Sequence, residues 1–302
     1  MGRRYLRPGL IRSRQTGSAS LHVLRRKGDH METRVIPAVL SIAGSDSSGG
    51  AGIQADIKTI AAHHLFAETA ITALTAQNTL GVRDVLEATP RIVAEQIDAV
   101  FEDIPPAAVK IGMVSSTEIV ETIAERLTRW GARNIVVDPV MVSTAGSRLI
   151  DEDAASALAE LLFPLATVIT PNVPEAEELS GLEITTAHEQ ERAARELAAR
   201  IGCAVLVKGG HMTDESNDLL AERTGEGDAI KTSVTWFRHP RIETANTHGT
   251  GCTLSSAIAC GLAQGLGLIA AVNQAKSYVT GALAAGLDLG RGPGPLDHMW
   301  QR

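Results

Sequence analysis

The chain has 302 residues, of which 44% are hydrophobic, 21% charged and 3% aromatic, with three cysteines (Cys203, Cys252, Cys260). That balance suits a globular chain with a sizeable core, excludes a paired disulfide framework, and argues against a base-stacking nucleic-acid platform. No run of eighteen uncharged apolar residues is present, which excludes a transmembrane helix, and the net charge of −7 disfavours general binding to nucleic acid or anionic membranes.

The charge is unevenly spread. Residues 1–30 carry eight Lys and Arg against a single acid, Asp29, leaving 20 basic and 34 acidic residues for the remainder. Without a long apolar stretch this segment is not a secretory signal, although its arginines and Ser13, Ser18 and Ser20 resemble an organellar transit peptide. A plainer reading is an upstream start, with Met31 just ahead of the first orderly strand. Residues 1–33 are therefore expected to be a basic, disordered extension, and 34–302 a single domain in the cytoplasm with reduced thiols.

Strands are predicted at 35–43, 109–112, 135–138, 168–170 and 204–208, and amphipathic helices near 50–63, 90–103, 116–130, 152–162 and 186–201. Near-continuous apolar strands separated by helices indicate an α/β domain whose mostly parallel sheet is buried on both faces. The polar stretch 213–228 reads as an irregular excursion or a hairpin. In such sheets ligands bind beyond the carboxyl ends of the strands, and that is where the unusual residues fall.

The first strand runs into a glycine-rich loop, Gly44 to Gly52, that presents Asp46, with Asp56 seven residues after Gly49 and expected to point back to the same place. Gln77 and Asn78 can offer a donor/acceptor pair to a heteroaromatic ring, or serve as turn residues before Gly81. Met113 and Met141, beside Val140, can line a slot for a flat ring, or be ordinary core. Asp138, Asn172 and Glu175 form a hard oxygen-donor set suited to Mg²⁺; singly, Asp138 can receive loop amides and Glu175 can be a first-turn helix acid. Lys208, before Gly209-Gly210, can meet a polyphosphate or merely end a strand.

Most informative is Gly249-Thr250-Gly251-Cys252 opening a helical run. Glycines let several N–H groups converge, and the helix dipole adds positive character, making an anion hole suited to a transferring phosphoryl group. The same field is expected to lower the pKa of Cys252 so that its thiolate can take a hydroxyl proton. The alternative is a glycine turn with an inert buried cysteine. Neither the Walker A nor the dinucleotide glycine pattern is present. Cys203 and Cys260 read as packing, and His211 and His248 as loop or phosphate-contact residues.

Seven segments, in order, carry a resemblance: 43–56 around Gly44-Ser45-Asp46, 72–78 ending in Gln77-Asn78, Lys110-Ile111-Gly112-Met113, Asp138-Pro139-Val140-Met141, 170–176 around Asn172, Val207-Lys208-Gly209-Gly210-His211, and His248-Gly249-Thr250-Gly251-Cys252-Thr253. From about residue 35 to the end, the chain resembles the hydroxymethylpyrimidine/phosphomethylpyrimidine kinases of thiamine biosynthesis. The resemblance implies a three-layer α/β/α ribokinase-like fold, a homodimer, and two successive ATP-dependent phosphorylations of 4-amino-5-hydroxymethyl-2-methylpyrimidine. It further implies that Asp56 and Gln77 hold the pyrimidine edge, with Gly44, Met113 and Val140 around the ring. Lys208 would meet ATP phosphates with Asn172, Gly249 and Gly251, while Asp138, Asn172 and Glu175 organise Mg²⁺. Cys252 stands where most ribokinase-like enzymes carry a catalytic aspartate. Rival readings are a pyridoxal or pyridoxine kinase on the same fold and a non-catalytic pyrimidine sensor; an intact Lys208, Glu175 and Cys252 count against the sensor.

Overall fold

Val39, Leu40, Ile42 and Ala43 make β1 (Ala38–Asp46) apolar on both faces, and the strand is buried along most of its length. That is the signature of a strand covered by helices above and below. The computed structural model describes residues 35–141, 150, 152–210, 217–224, 231–239 and 241–302. Ile36–Arg302 form one compact unit; the expected extension 1–33 lies outside the described residues, as does His211.

After β1 come α1 (Gly52–Ala62), β2 (Phe66–Asn78), β3 (Gly81–Glu87), α2 (Pro90–Asp103), β4 (Ala108–Ile111), α3 (Thr117–Trp130), β5 (Ile135–Val137) and α4 (Glu152–Ala157). Then follow β6 (Val168–Ile169), α5 (Val173–Ser180), α6 (Ala187–Ile201), β7 (Ala204–Val207), β8 (Asp218–Thr224), β9 (Lys231–Phe237), α7 (Thr250–Ala263) and α8 (Leu268–Ala285). The described strands form one sheet in the order β3-β2-β1-β4-β5-β6-β7-β8-β9, parallel from β2 to β7 and antiparallel at both edges.

Alternation along each strand splits the core in two. Leu40, Ile42, Val109, Ile111, Ile135 and Val137 pack with the apolar faces of α2, α3 and α6. Val39, Ala108, Val136 and Leu206 pack on the opposite face with α7, α8 and Ile60 of α1. The result is the three-layer ribokinase-like arrangement, which brings the loops after β1, β4, β5, β6 and β7 to one edge.

The structure departs from the predicted elements in definite ways. The predicted 152–162 helix is α4 followed by a π turn (Leu158–Leu162) and a 3₁₀ turn (Phe163–Leu165), where Pro164 ends the α-helical ladder. β2, absent from the predicted strands, is a 13-residue strand that outruns β1 and pairs with β3 at its far end. The polar stretch near 213–228 belongs in part to a hairpin, since β8 pairs antiparallel with β9.

Candidate active site

A cleft of about 970 Å³ opens at the carboxyl ends of the parallel strands. Its walls include Gly44, Gln77, Met113, Val140, Asp138, Asn172, Glu175, Lys208 and the run Gly249 to Cys252. The structure thus brings together every site position expected from the sequence except Asp56.

The floor begins with the start of α7. Gly249 is its N-cap, held at φ 83°, and no side chain caps the helix. First-turn N–H groups of a helix lack intrahelical partners, although the Thr250 amide donates to the Thr247 carbonyl at 3.3 Å. A left-handed glycine is required here twice over: a Cβ on Gly249 would overlap the carbonyl oxygen of Gly50 in the β1–α1 loop. The two glycine loops lie backbone to backbone.

Asp46 fastens them. Its carboxylate accepts from the amides of Ser48 (2.8 Å), Gly50 (3.1 Å) and Ala51 (2.8 Å), from the Ser48 hydroxyl, and from His248 Nε2 (2.8 Å). Against the effect of burial, His248 and Ser48 bring its pKa down to about 2. His248 therefore serves as a loop clasp in this structure.

Lys208 reaches across from β7. Its ammonium lies 2.8 Å from Asp138 Oδ1 and 4.0 Å from Glu175 Oε2, and Thr170 also donates to Asp138. A Cβ built on Gly251 would stand 3.4 Å from Lys208 Nζ and 3.1 Å from Asp138 Oδ2, so the helix start, the lysine and the carboxylate share one spot. Against its burial, Asp138 and then Glu175 raise the lysine's pKa, and it stays charged.

Asn172 and Glu175 form a capping box at α5: Asn172 Oδ1 accepts from the Glu175 amide, and Glu175 Oε2 from the Asn172 amide. With its oxygen so engaged, Asn172 is better suited to meet a phosphate through its NH₂ than to ligate a metal. Burial pushes Glu175 up to about 7, Lys208 opposing and Asp138 reinforcing. Among the described residues no three His, Cys, Asp or Glu form a ready metal cage.

The ring slot is narrow where it was expected. A Cβ on Gly44 would come 2.7 Å from Met113 Cε, so the glycine lets the methionine lie across the wall. Gln77 faces the cleft, with Oε1 3.2 Å from the Thr75 hydroxyl. Asn78 follows the turn reading, its Oδ1 accepting from the Leu80 amide.

Two expectations are corrected. Asp56 does not line the cleft; it is wholly buried, with Lys110 at 2.8 and 3.0 Å and hydroxyl donors from Ser41 (2.5 Å) and Ser256 (2.7 Å). The helix start also fails to lower the pKa of Cys252. Burial pushes this thiol up to about 11; Lys110 and a Gly52 amide pull it down, and Asp56 and Asp138 push it further up.

No role could be read from the sequence for Lys110, Asp218 or Lys276. Lys110, the lone charge in the apolar run of β4, was the one legible signal of a buried ion pair. The Asp218–Lys276 pair (2.8 Å) lies farther along the cleft beside Val279 and Leu283, and nothing local in the sequence joins them.

The chain is similar in sequence and fold to known proteins. Residues 46–297 match the family model described as phosphomethylpyrimidine kinase. The chain is 51% identical over 265 residues to the hydroxymethylpyrimidine/phosphomethylpyrimidine kinase of Rhizobium meliloti, covering 86% of this chain and 96% of that protein. It is 49% identical over 264 residues to the thiamine biosynthesis bifunctional protein ThiED of Geobacter sulfurreducens, covering 87% of this chain but only 52% of that longer protein. An ADP complex of Bacillus subtilis pyridoxal kinase superposes with a TM-score of 0.79 at 34% identity, over 88% of this chain and 99% of that one. With the match to the model spanning most of its length, the chain belongs to the phosphomethylpyrimidine kinase family.

Proposed function

We infer that the chain is a kinase that uses ATP to phosphorylate 4-amino-5-hydroxymethyl-2-methylpyrimidine and then its monophosphate, giving the diphosphate used in thiamine biosynthesis. The observation that carries this reading is the meeting of the uncapped α7 start, Lys208 and Cys252 in one cleft of a chain of this family. A sensor would need the ring slot alone, not the phosphate machinery.

Phosphoryl transfer asks the protein mainly for positioning and for charge at the transferring group. In the first transfer the substrate hydroxyl gives its proton to Cys252 in its thiolate form, its oxygen bonds to the γ-phosphorus, and the bond to ADP breaks. The amides of Gly249, Gly251 and Cys252 and the Lys208 ammonium hold the charge on the phosphoryl oxygens. In the second transfer the attacking phosphate oxygen is already ionised. Cys252 is then not needed as a base, while the amides still are. Gly44, Gln77, Met113 and Val140 hold the ring.

Mg²⁺ belongs to the same reading. Asp138 and Glu175 are hard oxygen donors beside Lys208, and a carboxyl held near pKa 7 by burial has room for a cation's charge. Two carboxylates fit an ion that keeps waters and shares phosphate oxygens. When bound, it would neutralise charge on the ATP phosphates. We take the enzyme to act on these small molecules in the cytoplasm, as a homodimer, through one kinase domain at 34–302 that does not need residues 1–33. The apolar Leu74 and Leu86, 51% and 69% exposed on β2 and β3, support a second copy as their cover.

A pyridoxal kinase is the second reading, favoured by the likeness to the Bacillus subtilis enzyme. Incubating the purified protein with MgATP and hydroxymethylpyrimidine, its monophosphate or pyridoxal, with products identified by mass spectrometry, separates the two. Pyrimidine mono- and diphosphate are expected; pyridoxal phosphate as the sole product would overturn the assignment.

A further inference from the structure

β4 is apolar except at Lys110, whose side chain leaves the sheet on the α1 and α7 face and has no exposure. Its ammonium lies under the Gly112 backbone, where a Cβ would stand 2.6 Å from Nζ, one residue before Met113 in the cleft wall. Both Asp56 oxygens contact it, and the same carboxylate is held by Ser41 of β1 and Ser256 of α7. Ser256 follows Cys252 by one helical turn, so the ion pair is tied to the helix that carries the sulfur.

Stability alone does not account for this pair. Taking two ions out of water is expensive, and apolar residues of the same volume often serve as well or better. What the pair adds is a fixed charge beneath the first turn of α7. The charged groups acting on Cys252 are Lys110 and Asp56 below it, with Asp138 and Lys208 from the loops after β5 and β7. Lys110 has a larger effect than Asp56 or Asp138 and is of opposite sign, so the pair as a whole favours the thiolate.

We propose that Lys110 is a positioning residue for the first phosphoryl transfer: clamped by Asp56, it holds a buried positive charge toward Cys252 so that the sulfur can take the substrate's proton. This rests on Cys252 acting as the base, and the test separates the two ideas.

Lys110→Met keeps the length of the side chain and removes its charge. The rate at which iodoacetamide alkylates Cys252 in the native protein, followed by mass spectrometry across pH, reports the thiolate directly; Cys252 lines the cleft, whereas Cys203 and Cys260 are buried and serve as internal references. At pH ~8 the Cys252 rate is expected to fall about threefold or more, with its profile moved to higher pH, the loss of thiolate being partly offset by the higher nucleophilicity of a more basic sulfur. The first transfer is expected to slow about tenfold while the second stays within about twofold, in a protein that still melts cooperatively.

A folded variant with a wild-type alkylation profile overturns the proposal, and so does equal loss of both transfers. Slowed alkylation with an unchanged first transfer removes Cys252 as the base, and with it the catalytic link. Should Lys110→Met fail to fold, Lys110→Met combined with Asp56→Asn removes both buried charges, and the alkylation profile alone decides. A move to higher pH is expected there, and no move overturns the proposal.

Discussion

Asp46 is a single carboxylate that holds two loops, and its own chemistry makes that testable. Its pKa is lowered to about 2 in the folded chain, so the stability it supplies is present above the ordinary carboxylate range and fades as pH falls from about 4 toward 2. Asp46→Asn is expected to cost ~2 kcal/mol at neutral pH by chemical denaturation, with the difference from wild type shrinking below pH ~4. A pH-independent difference would contradict that account. Glu175 has the opposite sign: its pKa is raised to about 7, so its ionisation destabilises the ligand-free protein as pH rises through that value. Glu175→Gln keeps an acceptor for the Asn172 amide, and is expected to melt higher than wild type at pH ~8 without ligands, an advantage that fades toward pH ~5. At this scale the sequence revealed residue types but not their surroundings. Asp56 stands two helical turns beyond Gly49, yet α1 begins only at Gly52 and turns that side chain toward the sheet, where Lys110 meets it. Cys252 was read from its helix position; burial and two nearby carboxylates outweigh the dipole.

At the scale of elements, the start of α7 depends on backbone shape more than on side chains. Gly249 has a positive φ and faces the Gly50 carbonyl with no room between. Gly249→Ala is expected to lower both transfers by about a hundredfold or more, since the amides serve both; a variant with one transfer intact would show that the anion site lies elsewhere. Strands of unbroken apolar residues, such as β5 and β7, were legible because both faces are buried. β2 was not, because Glu68, Thr69, Thr72 and Thr75 interrupt its pattern and its far half leaves the core. The pair Asp218–Lys276 joins β8 to α8, a contact that only the folded chain makes.

For the whole molecule, the parallel sheet and the edge that carries the chemistry were legible from motifs at strand ends, because a doubly covered parallel sheet exposes its loops at one place. What joins those loops was not, since Asp46–His248 and Lys110–Asp56 span 202 and 54 residues of chain. Deleting residues 1–33 is expected to leave both transfers within about twofold of wild type, measured side by side; a loss of either would give that extension a part in catalysis. On the proposed function, the α7 amides carry both transfers and the Cys252 sulfur is needed only for the first. The most direct test is Cys252→Ala, with both transfers measured in one preparation across pH. The first is expected to fall about a hundredfold or more and to lose its rise toward alkaline pH, while the second keeps most of its rate. Equal losses in the two transfers would contradict the account.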